Sequence, residues 1–176
     1  PKQLNMARQC LSQPKEQVAI IDLEHGTVTY AQLEWMSATL ANALKAGGIE
    51  RGDRVGVLRS QDAWTAAAHL AIWSLGAISV PLFTLFQAQA LDTRTSDAGV
   101  SLIITDAKNA VRAMTAPALV PEDFAQLANQ NLNIETTTPD TPACLIYTSG
   151  TTGAPKGALH GHRMLTGHLP GVEMSH

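Results

Sequence analysis

The sequence predicts an α/β fold in which a largely parallel β-sheet carries helices on both faces. Apolar strand-like runs alternate with helix-like segments along the 176 residues, which is the order that builds a parallel sheet. The run from Val100 to Thr105 is apolar at nearly every position, as expected for a strand buried on both faces. Ligands of such folds bind at the loops that follow the carboxyl ends of the strands.

The N-terminal part of the sequence predicts a short helix, a strand followed by a turn, and a longer amphipathic helix. The short helix covers residues 2–12, and the strand covers residues 18–21 with a turn at 24–26. Thr29 and Gln32 have the spacing of a capping box, which marks a helix N-terminus. An apolar helix face follows at helical spacing: Leu33, Met36, Leu40 and Leu44.

The middle of the chain predicts two strand–helix units and a third strand. Ser60 supplies a hydroxyl that can cap the first of these helices. Gly76 and Gly99 follow the two helices, where a backbone without a Cβ atom ends a helix easily. The strands are expected at residues 54–58, 77–80 and 100–105, and the helices at 60–75 and 88–98.

The last third predicts shorter elements around a polar segment. Asp106 is the expected cap of one helix, and Pro121 suits the first position of the next. Residues 129–142 are rich in Asn and Thr, which is typical of a loop or linker. A strand at 143–148, a short strand at 157–160 and a helix at 162–169 are expected to follow.

Composition excludes several classes of protein. The net charge of -3, from 12 Lys and Arg against 15 Asp and Glu, gives no electrostatic case for a nucleic-acid partner. With 45% hydrophobic and 15% charged residues, the chain is too apolar for disorder throughout. No apolar run reaches the roughly 20 residues that span a bilayer and no secretory signal is visible, so the cytoplasm is the expected compartment. Cys144 lies in an apolar run and is expected to be buried.

The segment 147–157 carries the residues most suited to chemistry. It has the sequence Tyr-Thr-Ser-Gly-Thr-Thr-Gly-Ala-Pro-Lys-Gly and directly follows the apolar run at 143–148. Its hydroxyls, its glycine N–H groups and its lysine are donors that suit the oxygens of a polyphosphate. A Walker A loop, as in a P-loop NTPase or kinase, needs the lysine directly after a glycine, whereas Pro155 precedes Lys156. A flexible linker seldom follows a buried strand directly.

This segment resembles the phosphate-binding signature of the adenylate-forming superfamily, which includes acyl-CoA synthetases, peptide-synthetase adenylation domains and luciferases. Three earlier segments resemble the same superfamily in the same order: 29–33, 52–55 and 73–82. The resemblance implies that residues 1–176 are an incomplete N-terminal part of the large AMP-binding domain, with the remainder and a C-terminal domain absent.

The resemblance implies an enzyme that activates a carboxylic acid with ATP and Mg²⁺ and passes the acyl group from an acyl-adenylate to a thiol, usually coenzyme A. Donors aimed at the β- and γ-phosphates would offset the charge on the leaving pyrophosphate. By resemblance, the phosphate-binding residues are Thr148, Ser149, Gly150, Thr151, Thr152, Gly153, Lys156 and Gly157.

Residues 80–86 and 158–163 resemble short- and medium-chain acyl-CoA synthetases, although Gln87 and Ala88 stand where such relatives often have Gly-Pro. The alternatives are an adenylation domain of another branch, a non-catalytic fragment that still binds a nucleotide or phosphate, and an interaction fragment to which no cofactor is bound. The later motifs of the superfamily find no counterpart here, so no catalytic residue is assigned and the chain alone is expected to be inactive. A truncated sheet would leave an edge and an apolar face that favour self-association.

Two further groups of side chains are candidates for a site. His160, His162 and His168 lack the accompanying cysteines or carboxylates of a metal centre, so no metal ligand is predicted. The resemblance puts His162 at the start of a helix beside the loop, where a positioning role and a surface location fit it equally. Phe83 and Phe86 follow a strand end and are expected to pack in the core rather than line an acyl or adenine pocket.

Overall fold

The helices and strands of the structure follow nearly the order that the sequence predicts. The computed structural model describes residues 2–22, 26–112, 115–124, 131–148 and 155–167. Its helices are α1 Met6–Cys10, α2 Tyr30–Ala46, α3 Ala63–Ser74, α4 Ala88–Ala98 and α5 Ala107–Ala110, with a 3₁₀ turn at Pro121–Asp123. Its strands are β1 Val18–Asp22, β2 Gly26–Thr29, β3 Arg54–Leu58, β4 Ile78–Pro81, β5 Val100–Thr105, β6 Ala118–Leu119, β7 Pro142–Thr148 and β8 Lys156–Gly161.

One sheet organises the described part of the chain, with the strand order β6-β5-β3-β4-β7-β8. The pairs β3–β4, β3–β5, β5–β6 and β4–β7 are parallel, and only β8 runs antiparallel, against β7. This confirms the predicted α/β fold with a largely parallel sheet. The β1 and β2 strands form a separate antiparallel ribbon that directly precedes α2.

The sheet is covered on both faces, as predicted. The larger core joins α1, α2 and α3 to the sheet, and its fully buried members include Leu40, Leu44 and Ile72. The smaller core packs Leu91 of α4 against the other face, where it meets Ile103. Each fully buried aliphatic side chain of this kind contributes roughly 1.5–3 kcal/mol. In the described ranges, none of the helices is long and apolar enough to cross a membrane.

The capping box of α2 is confirmed, and it explains where this helix begins. The Thr29 side-chain oxygen accepts the Gln32 N–H at 3.3 Å, and the Gln32 side-chain oxygen accepts the Thr29 N–H at 2.8 Å. Two N–H groups without an intrahelical partner are thereby satisfied. The C-terminal stop of α4 is also as predicted, because Gly99 adopts the left-handed conformation with φ 60°.

Two local predictions are wrong in detail. Asp62, not Ser60, caps α3, because its carboxylate accepts the Thr65 N–H at 2.8 Å. A carboxylate is a stronger acceptor than a hydroxyl at the positive end of a helix. The first helix is shorter than residues 2–12, since Asn5 caps it directly before Met6. By contrast, Cys144 is buried as expected.

Phe83 does not pack in the core, contrary to the prediction. Its side chain is 60% exposed and stands edge-on to the ring of Phe86, with ring centroids 5.3 Å apart. The Arg94 guanidinium lies 4.1 Å from the centroid of the Phe86 ring, a cation–π contact on the half-buried member of the pair. The exposed Leu85 beside them makes this loop after β4 an apolar surface.

The polar segment 129–142 is attached to the core over its described residues. Residues 131–138 form neither helix nor strand, as predicted for a loop, yet Ile134 packs against the larger core. The Glu135 N–H donates to the Ser74 carbonyl at 2.7 Å, and Leu4 and the buried Thr137 exchange two hydrogen bonds. We call residues 131–141 the strap, because they bind the N-terminus to the end of α3.

Replacing the α2 cap tests the contribution of this local structure to stability. Thr29→Ala removes one half of the capping box and is expected to lower the free energy of unfolding by about 1 kcal/mol. The control is Thr93→Ala on the exposed face of α4, where the hydroxyl bonds only to its own helix at the Gln89 carbonyl and a change within about 0.5 kcal/mol is expected. Urea unfolding followed by circular dichroism measures both, and equal losses would contradict the cap assignment.

Candidate functional site

The candidate phosphate-binding loop joins two strands of the central sheet. The β7 strand lies parallel to β4, with Ser79 opposite Cys144, so the loop leaves the sheet at the carboxyl end of a parallel strand. The β8 strand returns antiparallel and places Lys156 opposite Thr148. The two strands form a hairpin with its closed end at the loop and its open end at Pro142 and Gly161.

The predicted phosphate ligands are brought together only in part. Thr148 and Lys156 are cross-strand partners at the base of the loop, and both are exposed. A hydroxyl and an ammonium group therefore stand side by side at its entrance. The rest of the predicted set before Lys156 lies outside the described residues: Ser149, Gly150, Thr151, Thr152 and Gly153.

Gly157 has a steric role that the motif alone does not reveal. A Cβ atom at this position would lie 3.0 Å from a methyl carbon of Leu145 and 3.3 Å from the Tyr147 ring. Both neighbours belong to β7, so a side chain at position 157 would require the Leu145 side chain and the Tyr147 ring to shift next to Lys156. The glycine lets β8 cross the Tyr147 ring at close range.

Tyr147 anchors the end of β7 to α4. Its side chain is buried, and its hydroxyl donates to the Asp97 carboxylate at 2.5 Å. Burial raises the pKa of Tyr147, and the hydrogen bond to Asp97 and its negative charge raise it further, so the hydroxyl stays a donor. No local pattern identifies this pair in the sequence, because the two residues are 50 positions apart.

His162 is buried, so a surface location is wrong. It is 0% exposed, and its Nδ1 atom accepts the backbone N–H of Met6 at 3.1 Å. Burial lowers the pKa of His162 to about 4, and the positive charge of Arg51 adds to the effect, so the ring is neutral near pH 7. It follows Gly161 at the open end of the hairpin, about 20 Å along β8 from Lys156, rather than beside the loop.

A cluster of charged side chains around the buried Arg59 lies at the same edge of the sheet, and the sequence does not predict it. Arg59 follows β3, and its side chain is 2% exposed. Its guanidinium donates to Asp62, to Glu122 and to the Thr105 carbonyl at the end of β5. The 63 positions between Arg59 and Glu122 leave no local sequence signal for the pair.

The described part of the chain brings no set of metal ligands together. In those residues, no three His, Cys, Asp or Glu side chains are grouped so that they could hold a metal ion. The Nδ1 atom of His162 is already used by the Met6 N–H.

The described residues form an α/β domain in which the parallel strand β7 is followed by a Gly- and Thr-rich stretch of sequence that ends at Lys156. Residues 6–175 match the family described as AMP-binding enzyme. The chain belongs to this family.

Relatives within the family differ in what their names describe. The chain is 34% identical over 154 residues to the nonribosomal peptide synthetase ecdA of Aspergillus rugulosus, covering 82% of this chain and 2% of that protein. It is 31% identical over 149 residues to the long-chain-fatty-acid–CoA ligase FadD13 of Mycobacterium tuberculosis, covering 77% of this chain and 30% of that protein. The chain thus spans less than a third of the length of these curated relatives.

A solved structure supports the same assignment. The o-succinylbenzoate coenzyme A synthetase MenE from Bacillus subtilis, in complex with AMP, superposes with a TM-score of 0.80 at 27% identity. The superposition covers 96% of this chain and 46% of that structure.

Proposed function

We propose that this chain supplies the ATP phosphate-binding part of an enzyme that activates a carboxylic acid as an acyl-adenylate. The observation that carries the proposal is the β7–β8 hairpin, which pairs Thr148 with Lys156 at the carboxyl edge of the sheet, on either side of a Gly- and Thr-rich stretch of sequence. Its family is that of the AMP-binding enzymes, which use ATP and Mg²⁺. The remaining phosphate donors in the proposal are Ser149, Thr151 and Thr152, with Gly150, Gly153 and Gly157 in the same motif.

The proposed chemistry is electrostatic. Attack on the α-phosphorus by a carboxylate brings two anions together, and the departing pyrophosphate gains charge. The Lys156 ammonium and the hydroxyl of Thr148 would donate to the β- and γ-phosphate oxygens and offset that charge. The described residues contain no metal-ligand cluster, so none of them is assigned to hold Mg²⁺.

We assign the acyl acceptor to coenzyme A, as in short- and medium-chain acyl-CoA synthetases. Residues 80–86 and 158–163, which resemble that branch, support the assignment, and FadD13 is a relative whose name describes such a ligase. The second candidate is an adenylation domain of a peptide synthetase, which relatives such as the nonribosomal peptide synthetase ecdA favour. The cytoplasm, which is the compartment expected from the sequence, remains the proposed compartment.

We also propose that the chain self-associates through β8. This strand lies at the end of the strand order, and its outer side has no partner strand among the described residues. Its side chains are mostly exposed, with Leu159 at 58%. An unprotected edge with an apolar side chain is a template for pairing with a second strand.

Removing the loop lysine tests the phosphate-binding proposal. Lys156→Ala is expected to weaken ATP binding roughly tenfold, the size of one hydrogen bond to a charged oxygen. Lys45→Ala makes the same charge change at the exposed C-terminal turn of α2 and is expected to bind like the unmodified chain. Titration calorimetry with ATP measures both. A chain that binds no ATP, or equal losses in the two variants, would overturn the proposal.

An ATP–pyrophosphate exchange assay tests whether the chain completes adenylation. We expect background exchange with a panel of short- and medium-chain fatty acids and amino acids, because no residue is assigned to bind adenine, ribose or Mg²⁺. Exchange that depends on a fatty acid would contradict this and favour the acyl-CoA branch. Exchange that depends on an amino acid would contradict it and favour the peptide-synthetase branch.

Sedimentation velocity over a range of concentrations tests self-association. The unmodified chain is expected to form dimers or larger species, and Leu159→Lys is expected to shift it to the monomer because a charge on an edge strand opposes pairing. The control is Ile21→Lys on β1, where an exposed apolar side chain is replaced away from β8. If the unmodified chain sediments as a monomer at every concentration, the proposal of self-association through β8 is wrong.

A further inference from the structure

The open end of the hairpin is held by a contact between segments that are far apart in sequence. The His162 Nδ1 atom accepts the backbone N–H of Met6, the first residue of α1, across 156 positions. The first N–H groups of a helix have no hydrogen-bond partner inside the helix. The His162 imidazole therefore accepts a hydrogen bond from a buried donor that would otherwise have no partner. We call this contact the histidine latch.

The latch requires a neutral ring in one tautomer. Because Nδ1 accepts a hydrogen bond, the proton of the neutral imidazole resides on Nε2. Protonation of Nδ1 would set two donors against each other and break the contact. The low pKa of His162, which follows from burial and the nearby Arg51 charge, keeps the acceptor available near pH 7.

The backbone around His162 is fitted against the strap. The His162 N–H donates to the Thr141 carbonyl at 3.1 Å, and the Arg163 N–H donates to the Pro139 carbonyl at 2.9 Å. A Cβ atom at Gly161 would lie only 2.6 Å from that Pro139 oxygen. The end of β8 therefore has one axial position in which these contacts are made together.

The axial position of β8 decides where Lys156 stands. In a strand, a shift of one residue moves each Cα by about 3.3 Å and turns every side chain to the other face. The hairpin already has an irregular register between Pro142 and Cys144, next to the latch. A fixed point at the open end would favour the one register of the β7–β8 pairing that keeps Lys156 opposite Thr148 at the closed end.

We propose that His162 is a positioning residue for the phosphate-binding loop: its neutral imidazole holds the end of β8 to the first turn of α1 and so sets the register that presents Lys156. The inference rests on the proposed function for its effect on ATP, and on the hairpin alone for its effect on register. It assigns His162 no contact with substrate.

A pair of variants at Met6 tests the latch without changing the histidine. Met6→Pro removes the N–H donor, and proline is well tolerated at the first helical position after the extended Asn5. Met6→Ala removes the same buried side chain but keeps the donor. We expect Met6→Pro to weaken ATP binding about tenfold relative to Met6→Ala, the loss of one well-placed donor to a charged oxygen.

Amide hydrogen exchange gives a readout that does not depend on ATP. Met6→Pro is expected to lose protection along β8 and at the cross-strand pair of Ala158 and Ile146, whereas Met6→Ala keeps both. His162→Asn, whose side-chain oxygen can replace Nδ1 as acceptor, is expected to stay close to the unmodified chain, and His162→Phe is expected to behave like Met6→Pro.

The outcomes separate the latch from the proposed function. If the unmodified chain binds no ATP, the proposed function fails, and protection of β8 alone decides the latch. Equal β8 protection and equal ATP affinity in Met6→Pro and Met6→Ala would overturn the latch, as would a loss in His162→Asn as large as in His162→Phe. If His162→Phe does not fold, the Met6 pair still decides.

Discussion

The pairing of β7 with β4 is the constraint on which the candidate site depends. The β7 strand follows β4 by about sixty residues of chain, yet it completes the parallel sheet and carries the loop. The Ala143 carbonyl accepts the Trp73 indole N–H at 2.9 Å and the Ser79 hydroxyl at 3.3 Å. An indole donor from α3 and a hydroxyl from β4 thus seat the first residues of β7, and a buried donor left without this acceptor would cost about 1–3 kcal/mol.

The two ends of the hairpin are held by different means. At the closed end, the Tyr147 hydroxyl is tied to Asp97 of α4, and Gly157 permits close contact of the two strands. At the open end, His162 and the strap hold β8 against α1. Between these two points, β8 is mostly exposed, so its geometry depends on its ends rather than on burial along its length.

Local and repeating signals are enough to predict the order of the elements. The cap at Thr29, the left-handed stop at Gly99 and the apolar strand at 100–105 each rest on residues within one turn or strand of each other, and the structure confirms them. The prediction of the α3 cap fails because both Ser60 and Asp62 can accept the same kind of bond. In the structure the Asp62 carboxylate also accepts a hydrogen bond from Arg59.

The sequence does not predict the tertiary contacts that position the elements around the candidate site, because each contact joins residues that are 50 or more positions apart. Tyr147 with Asp97, Met6 with His162 and Arg59 with Glu122 are all of this kind. The sequence identifies His162 but not its burial, because a single polar residue after an exposed strand carries no sign of the helix end packed on it. The sequence motif therefore predicts which residues belong to the candidate loop. The tertiary contacts determine where the described ones among them lie.

The Arg59 cluster occupies a different position at the same edge of the sheet from the loop after β7. Strands β3 and β5 are neighbours whose connections leave in opposite directions, which is the arrangement that commonly opens a ligand crevice. In this protein the Arg59 side chain lies between the ends of these two strands and donates to the Thr105 carbonyl. All five N–H donors of the Arg59 guanidinium have acceptors, in Asp62, Glu122 and Thr105. Because this guanidinium is already paired with two carboxylates, it is not free to bind an anionic ligand, and the exposed Lys156 is the cation that we propose for the phosphate.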